Sequence, residues 1–256
     1  MLRKGRANLT GVAVLVASLP ASAPEACEER TLSLRYSPQA SHSWCWAASG
    51  QMVMEWLGEA PEKACQCRQA EQVLGVTGCC VSPSSCLPAA DAPSSCDEPR
   101  WPAFVERSEG YGFDYETTCD ALPGRQDDDA CDAKPLGWRE LTAEICAGRP
   151  VLASFRSRGS VRGHMLVVKG FRARPRRRVL LVDPMRLCPP ERDCEGELDE
   201  GFWLPYEEFA AGWDGRVHWV DFYGIRRASP ENAGPRPSTA RRTSRRHGGG
   251  PGGQED

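Results

Sequence analysis

The sequence is short of several things, and each shortage removes a class of function. It has four histidines in 256 residues, no internal repeat, no clean pair of Cys-x-x-Cys knuckles and no apolar run long enough to span a bilayer. Without the knuckles a zinc-ribbon reading loses its main support. Without the long run, stable membrane insertion is excluded. Positive charge is also scarce where a fold would form. Setting aside the chain before Cys27 and after Tyr223, the body carries 22 basic against 31 acidic residues, although the whole chain has a net charge of only −3. An acidic body argues against nucleic acid as the main partner, because phosphate binding needs a basic face. The hydrophobic fraction of 40% and charged fraction of 26% are those of an ordinary globular chain.

Cysteine, by contrast, is abundant. Thirteen are present, at 27, 45, 65, 67, 79, 80, 86, 96, 119, 131, 146, 188 and 194. The stretch Met1–Ala26 has Arg3, Lys4 and Arg6, then an apolar run from Leu9 to Leu19, then Ala21-Ser22-Ala23. A basic start, a short apolar centre and a small-x-small site describe a secretory signal peptide better than a buried helix. Cleavage after Ala23 or Ala26 fits the pattern. The second site would expose Cys27, but Pro24-Glu25-Ala26 lacks the apolar residue that a lipoprotein site requires. In a secreted or periplasmic protein such cysteine usage implies a disulfide framework. Removing Cys45 from the thirteen leaves an even set that could pair completely. Cys188 and Cys194, bracketing Pro189-Pro190, suggest one such pair, while Cys146, on the apolar side of a helix, is a candidate buried free thiol.

Helical signals come first along the chain and strand signals later. Cys45 to Leu57 places Ala48, Met52 and Trp56 at helical spacing, with Gly58 where the helix should stop. Cys65 to Val76 predicts a second, shorter helix, and Cys79 to Pro99 dissolves into Ser, Pro and Cys, a loop region held by disulfides. Trp138, Leu141 and Ile145 mark another helix, closed by Gly148. Strands follow at Val151–Phe155, His164–Phe171, Val179–Val182, Gly201–Pro205 and Val217–Ile225, the second and third forming an antiparallel hairpin across a basic turn. Helices segregated from an antiparallel sheet define an α+β domain. Ser229 to Asp256 is rich in Pro, Gly, Ser and Arg and is expected to be a disordered tail, its paired arginines a solvated charge run.

Chemistry concentrates around Gln39-Ala40-Ser41-His42-Ser43-Trp44-Cys45-Trp46-Ala47-Ala48-Ser49. Cys45 falls on the first turn of a helix, where unpaired N–H groups and the dipole favour the thiolate, the reactive form of cysteine. A nucleophile needs a base within reach and a third group to orient that base. His164 begins an apolar strand after Gly163, and Asp183 ends its hairpin partner, so strand pairing should bring the two together. His42 is the rival base; it shares a loop with Cys45 and lacks rigid support. His218, between Val217 and Trp219, reads as packing against the sheet, and His247 lies in the tail.

Gln six positions before a Cys that is followed by Trp-Ala, a distant His opening an apolar strand, and Asp closing the next strand together resemble the papain-like cysteine peptidases. Cys65-Gln66-Cys67 with Cys79-Cys80 and Cys86 looks like the cysteine-rich insert of a secreted bacterial branch, and Gly148-Arg149-Pro150-Val151 before the His strand is similar too. The resemblance covers roughly Leu34 to Ile225. It implies a papain-like α+β fold, with a helical N-terminal half carrying the nucleophile and a C-terminal antiparallel sheet. It further implies Cys45 as nucleophile, His164 as general base and acid, Asp183 as orienting residue, and Gln39 as side-chain donor to an oxyanion hole completed by the Cys45 N–H. The substrate would be a peptide or protein, with no cofactor and no metal. Residues 27–228 would form the peptidase domain, with an insert at about 65–131.

Two features depart from the plant-type pattern. Trp44 stands where a small residue is common, which would put a bulky ring near the cleft, and Asp183 replaces the more usual Asn. No long propeptide separates the leader from Gln39, so autoinhibition by a large prodomain is not expected. The same residues leave three other uses open. Cys45 could be one more disulfide cysteine in an inactive, disulfide-rich binding protein of the same fold; the triad could serve an acyltransferase; and the clustered cysteines could hold zinc.

Overall fold

The computed structural model describes residues 27–119, 134–160, 162–185 and 201–229. The expected signal peptide, the tail beyond Ser229, Cys131 and the Cys188 and Cys194 pair lie outside the described residues. Among the described residues no helix is long and apolar enough to cross a membrane.

The described strands form one antiparallel sheet. Its strands are β1 (Glu29–Thr31), β2 (Phe113–Thr117), β3 (Val151–Arg156), β4 (Gly163–Arg172), β5 (Arg178–Val182), β6 (Phe202–Pro205), β7 (Gly212–Trp213) and β8 (Arg216–Arg227). The order is β2-β8-β3-β4-β5-β6, with β1 beside β4 and β7 beside β8. β3, β4 and β5 are almost continuously apolar and are buried along nearly their whole length. An uninterrupted apolar run, rather than an alternating one, is what a strand covered on both faces needs.

The helices are α1 (Cys45–Trp56), α2 (Pro61–Ala64), α3 (Gln66–Leu74), α4 (Ala103–Glu106), α5 (Ser108–Tyr111), α6 (Trp138–Cys146) and α7 (Tyr206–Ala211). α1 and α6 pack on the sheet. The helices α1, α3 and α6 and the strands β3 to β6 and β8 fall where the spacing places them. β1, β2 and α7 carry no such pattern, and two of these strands lie in the half read as helical. They are short, and pairing with longer neighbours supplies what their own sequence lacks: β2 with β8, β1 with β4.

α1 departs from the one-sided stripe implied by Ala48, Met52 and Trp56. Trp46 to Gly50 and Met52 to Met54 are all buried, whereas Trp56 is 36% exposed. The helix is covered on more than one side: Ser49 Oγ donates to the Met165 carbonyl of β4 at 3.2 Å, and Gln69 Nε2 of α3 donates to the Ala47 and Ala64 carbonyls at 2.7 and 2.6 Å. Gly50 fits this crowding, since a Cβ there would come within 2.8 Å of Gln69 Oε1.

Four disulfides are described: Cys27–Cys146, Cys65–Cys86, Cys67–Cys80 and Cys79–Cys96. Cys119 is disulfide-bonded too. The zinc alternative falls here, because the thiolates it requires are consumed in bridges. Cys146 is not a free thiol, as its helix stripe suggested; the end of α6 lies beside the chain leading into β1, and Cys27 closes that gap. That bridge also commits the Cys27 sulfur, which leaves none for a lipid thioether. The three bridges of the insert span 21, 13 and 17 residues, and closing loops of such length is worth about 3 kcal/mol each.

His218 does more than pack. Its ring is buried with Nδ1 donating to the Phe209 carbonyl of α7 and Nε2 to Asp221 Oδ1, both at 2.9 Å. Asp221 Oδ2 in turn accepts the Leu136 N–H at 2.6 Å. Burial works against charge on His218, but the neighbouring Asp221 carboxylate overcomes this and raises its pKa. Removing one partner of a buried pair leaves the other uncompensated, so His218→Ala is expected to lower the unfolding free energy by about 3–5 kcal/mol. Urea denaturation at pH 7 measures this, and a loss within about 0.5 kcal/mol, the range of an inert surface change, would show the pair to be dispensable.

Candidate active site

Cys45 is the first residue of α1, partly exposed and the one free cysteine among the described residues. The position before it is Trp44, which makes no side-chain cap, and the first turn holds no acidic residue. The helix therefore presents its unpaired N–H groups and positive dipole end with no acidic side chain in its own first turn, a setting that favours an anion.

His164 is the second residue of β4 and is 4% exposed. Asp183 directly follows β5, whose pairing sets Val182 opposite Val167. The hairpin brings the ring and the carboxylate together as its spacing implied: His164 Nε2 stands 2.6 Å from Asp183 Oδ1. The same oxygen accepts the Met185 N–H at 2.9 Å, which holds the carboxylate in place. Nδ1 of His164 is buried without a hydrogen bond of full geometry, yet Cys45 lies close enough to act on the ring by hydrogen bonding and by charge.

Burial is the largest influence on His164 and opposes its charge; the bonds to Asp183 and Cys45 and the charge of both outweigh it, and the pKa is raised to about 9. An imidazolium at neutral pH follows. Thiol, imidazole and oriented carboxylate form the set needed for covalent attack on a carbonyl with proton transfer.

Gln39 is tied to the same region through its backbone, whose N–H donates to the Pro184 carbonyl at 2.8 Å. Its side-chain Nε2 donates to the carbonyls of Ser41 at 3.1 Å and His42 at 2.8 Å, while Oε1 is buried without a partner. Its amide hydrogens thus brace the turn that enters α1. His42 is exposed, and His218 is engaged with Asp221. The Trp44 ring, expected near the cleft, is instead buried, and its Nε1 donates to the Cys96 carbonyl at 2.6 Å. A disulfide-held loop offers it an apolar wall and an acceptor, both absent at an open groove.

One residue near the site carries no spacing signal in the sequence. Trp213 of β7 stacks over His164, with centroids 6.1 Å apart and planes 27° from parallel. The Asp214-Gly215 dipeptide after it is a hairpin mark that could have pointed to this turn, and Asp214 has a positive φ of 50°.

Residues 31–193, well over half the chain, match the family described as the Peptidase_C39 like family, and the match includes Gln39, Cys45, His164 and Asp183. No curated protein matches the chain.

The raised His164 pKa sets a direction for pH. Because its folded pKa of about 9 exceeds the unfolded value of about 6.5, its contribution to stability is complete below pH 6.5 and is lost as pH rises through 9. An NMR titration of the ring is expected to show a midpoint near 9, and Asp183→Asn is expected to lower it by removing the carboxylate. A midpoint unchanged in Asp183→Asn would mean that the carboxylate does not hold the proton.

Proposed function

We propose a function for this chain from one premise: it belongs to the Peptidase_C39 like family, whose members are of cysteine-peptidase type, and its α+β fold is papain-like. Cys45, His164 and Asp183 act as nucleophile, base and orienting residue in hydrolysis of a peptide bond. The observation that carries this reading is the convergence of the free thiol at a helix start with an imidazole held at 2.6 Å by a carboxylate.

The Cys45 thiolate attacks the scissile carbonyl carbon, forming a C–S bond and pushing the carbonyl electrons onto oxygen. The Cys45 backbone N–H receives that oxyanion, and Gln39 joins it by giving up its longer bond, to Ser41. As the oxyanion collapses the C–N bond breaks, and His164 protonates the departing amine. The thioester is then hydrolysed: His164, now neutral, takes a proton from water, hydroxide adds to the carbonyl, and the C–S bond breaks to restore the thiolate. Asp183 keeps Nε2 protonated throughout, which leaves Nδ1 to exchange the proton. Trp213 screens the bond between Asp183 and His164 from water.

The disulfides support an oxidising destination, secreted or periplasmic, reached by the signal peptide at Met1–Ala26. The cysteine-rich insert supports placement in a secreted bacterial branch, with residues 27–228 as the peptidase domain and peptide or protein as substrate.

A scan of peptide substrates tests the reading. Cys45→Ala is expected to abolish turnover with the fold intact by circular dichroism, and His164→Ala to lower kcat by about 10²–10⁴-fold. An active Cys45→Ala protein ends the proposal.

A further inference from the structure

The helix that carries Cys45 has no cap of its own, and the turn before it must be held by something else. Trp44 caps nothing, and within the turn itself its N–H reaches the Ser41 carbonyl at only 3.2 Å. Beyond the Gln39 amide, which reaches the Ser41 and His42 carbonyls, the support comes from residues 96–98, more than fifty positions away in the chain. Asp97 Oδ1 accepts the Ser43 N–H at 2.7 Å and the Ser41 hydroxyl at 2.9 Å. On either side of it, the Cys96 carbonyl accepts Trp44 Nε1 at 2.6 Å and the Glu98 carbonyl accepts Trp46 Nε1 at 3.1 Å. Four of the six residues from Ser41 to Trp46 thus donate to one short segment.

That segment is itself immobilised. Cys96 is buried and bridged to Cys79, and its neighbour Cys80 is bridged to Cys67 of α3. Glu71 of α3 accepts the N–H groups of Gly78, Cys79 and Cys80 at 3.1 to 3.2 Å. A rigid frame therefore runs from α3 through two disulfides to Asp97 and on to the turn before the nucleophile.

We propose that Asp97 is a positioning residue for Cys45: by accepting from Ser43 and Ser41 together, it fixes the turn that aims the sulfur, and the insert disulfides exist to hold Asp97 in place. This rests on Cys45 being the nucleophile. The role is geometric. A negative charge near the helix start opposes a thiolate by Coulomb's law, so the charge of Asp97 contributes nothing to activating the sulfur; its oxygen does, as a double acceptor. Asn at this position keeps that oxygen and drops the charge, whereas Ala drops both.

The test is the second-order rate of alkylation of Cys45 by iodoacetamide between pH 5 and 9, with kcat and KM on a cleaved peptide measured beside it. Asp97→Ala is expected to slow alkylation at pH 7 about tenfold, the loss of the acceptor shared by two hydrogen bonds, and to lower kcat by a similar factor with KM within about twofold. Asp97→Asn is expected to restore both to within about threefold of wild type. Ser41→Ala, which deletes one of the two donors and is the safer variant for folding, is expected to give a smaller loss in the same direction. Wild-type alkylation rates in Asp97→Ala and Ser41→Ala overturn the proposal. Equal losses in Asp97→Asn and Asp97→Ala overturn it as well, since they would assign the effect to charge. If Asp97→Ala does not fold, the comparison of Ser41→Ala and Asp97→Asn with wild type decides by the same criteria. Alkylation needs no peptide substrate, so a positive result without any cleavage would sink the peptidase reading and leave the positioning role standing.

Discussion

The hydrogen bond between His164 Nε2 and Asp183 Oδ1 joins the start of one strand to the end of its neighbour, and the site depends on that pairing. A ring at a strand start would otherwise swing toward solvent. Here the carboxylate holds one nitrogen, Trp213 stacks on the ring's face and Cys45 lies close enough to act on the ring. Burial alone would strip the ring of its proton, so the carboxylate is what makes a buried, charged imidazole sustainable. The hairpin strands that bring this about are among the most deeply buried of the sheet, so the ring and its carboxylate rest on well-covered backbone.

The sulfur is held by a different kind of structure. α1 is covered by the sheet on one side and by the insert on another, and little of it faces water. The described part of the insert, residues 65–119, has short helices and many loops, too little regular structure to be rigid by itself. Its disulfides supply the missing rigidity, and its backbone carbonyls and one carboxylate pass that rigidity to the turn before Cys45. A sheet-borne imidazole and an insert-braced sulfur therefore meet from two independently stiffened supports. A second His and Asp pair, at 218 and 221, ties α7 and Leu136 to β8 from inside the core. α7 leads directly into Trp213, and the Phe155 ring of β3 lies beside both His218 and Trp213, with centroids 4.9 and 6.2 Å away.

Much was legible in the residues themselves. The helical spacing at 45–57, the apolar runs of β3 to β5 and the glycines that end helices are local signals, governed by side-chain period and backbone freedom. The parity of the cysteines pointed to a single free thiol, and Cys45 is the one free cysteine described. The hairpin logic placed His164 beside Asp183 because adjacent strands with a short turn have few other ways to pair. The spacing said nothing of β2, whose five residues become a strand only by lying against β8. Trp44 and Cys146 were misjudged for a shared reason: where a side chain points at an element boundary depends on what the remote chain places beside it, here Cys96 and Cys27.

By itself, then, the order of residues determined on which elements the thiol, the imidazole and the carboxylate sit, because helical spacing places Cys45 at a helix start and a hairpin aligns its strand ends through local geometry alone. Only the tertiary structure decided how those groups are held: which cysteines pair, that Asp97 braces the turn before Cys45, and that Trp213 covers His164. The Asp97 and Trp213 contacts reach about fifty residues along the chain and the Cys27–Cys146 bridge spans 119, and no period or spacing along a chain records which distant surfaces will be pressed together when the core is formed.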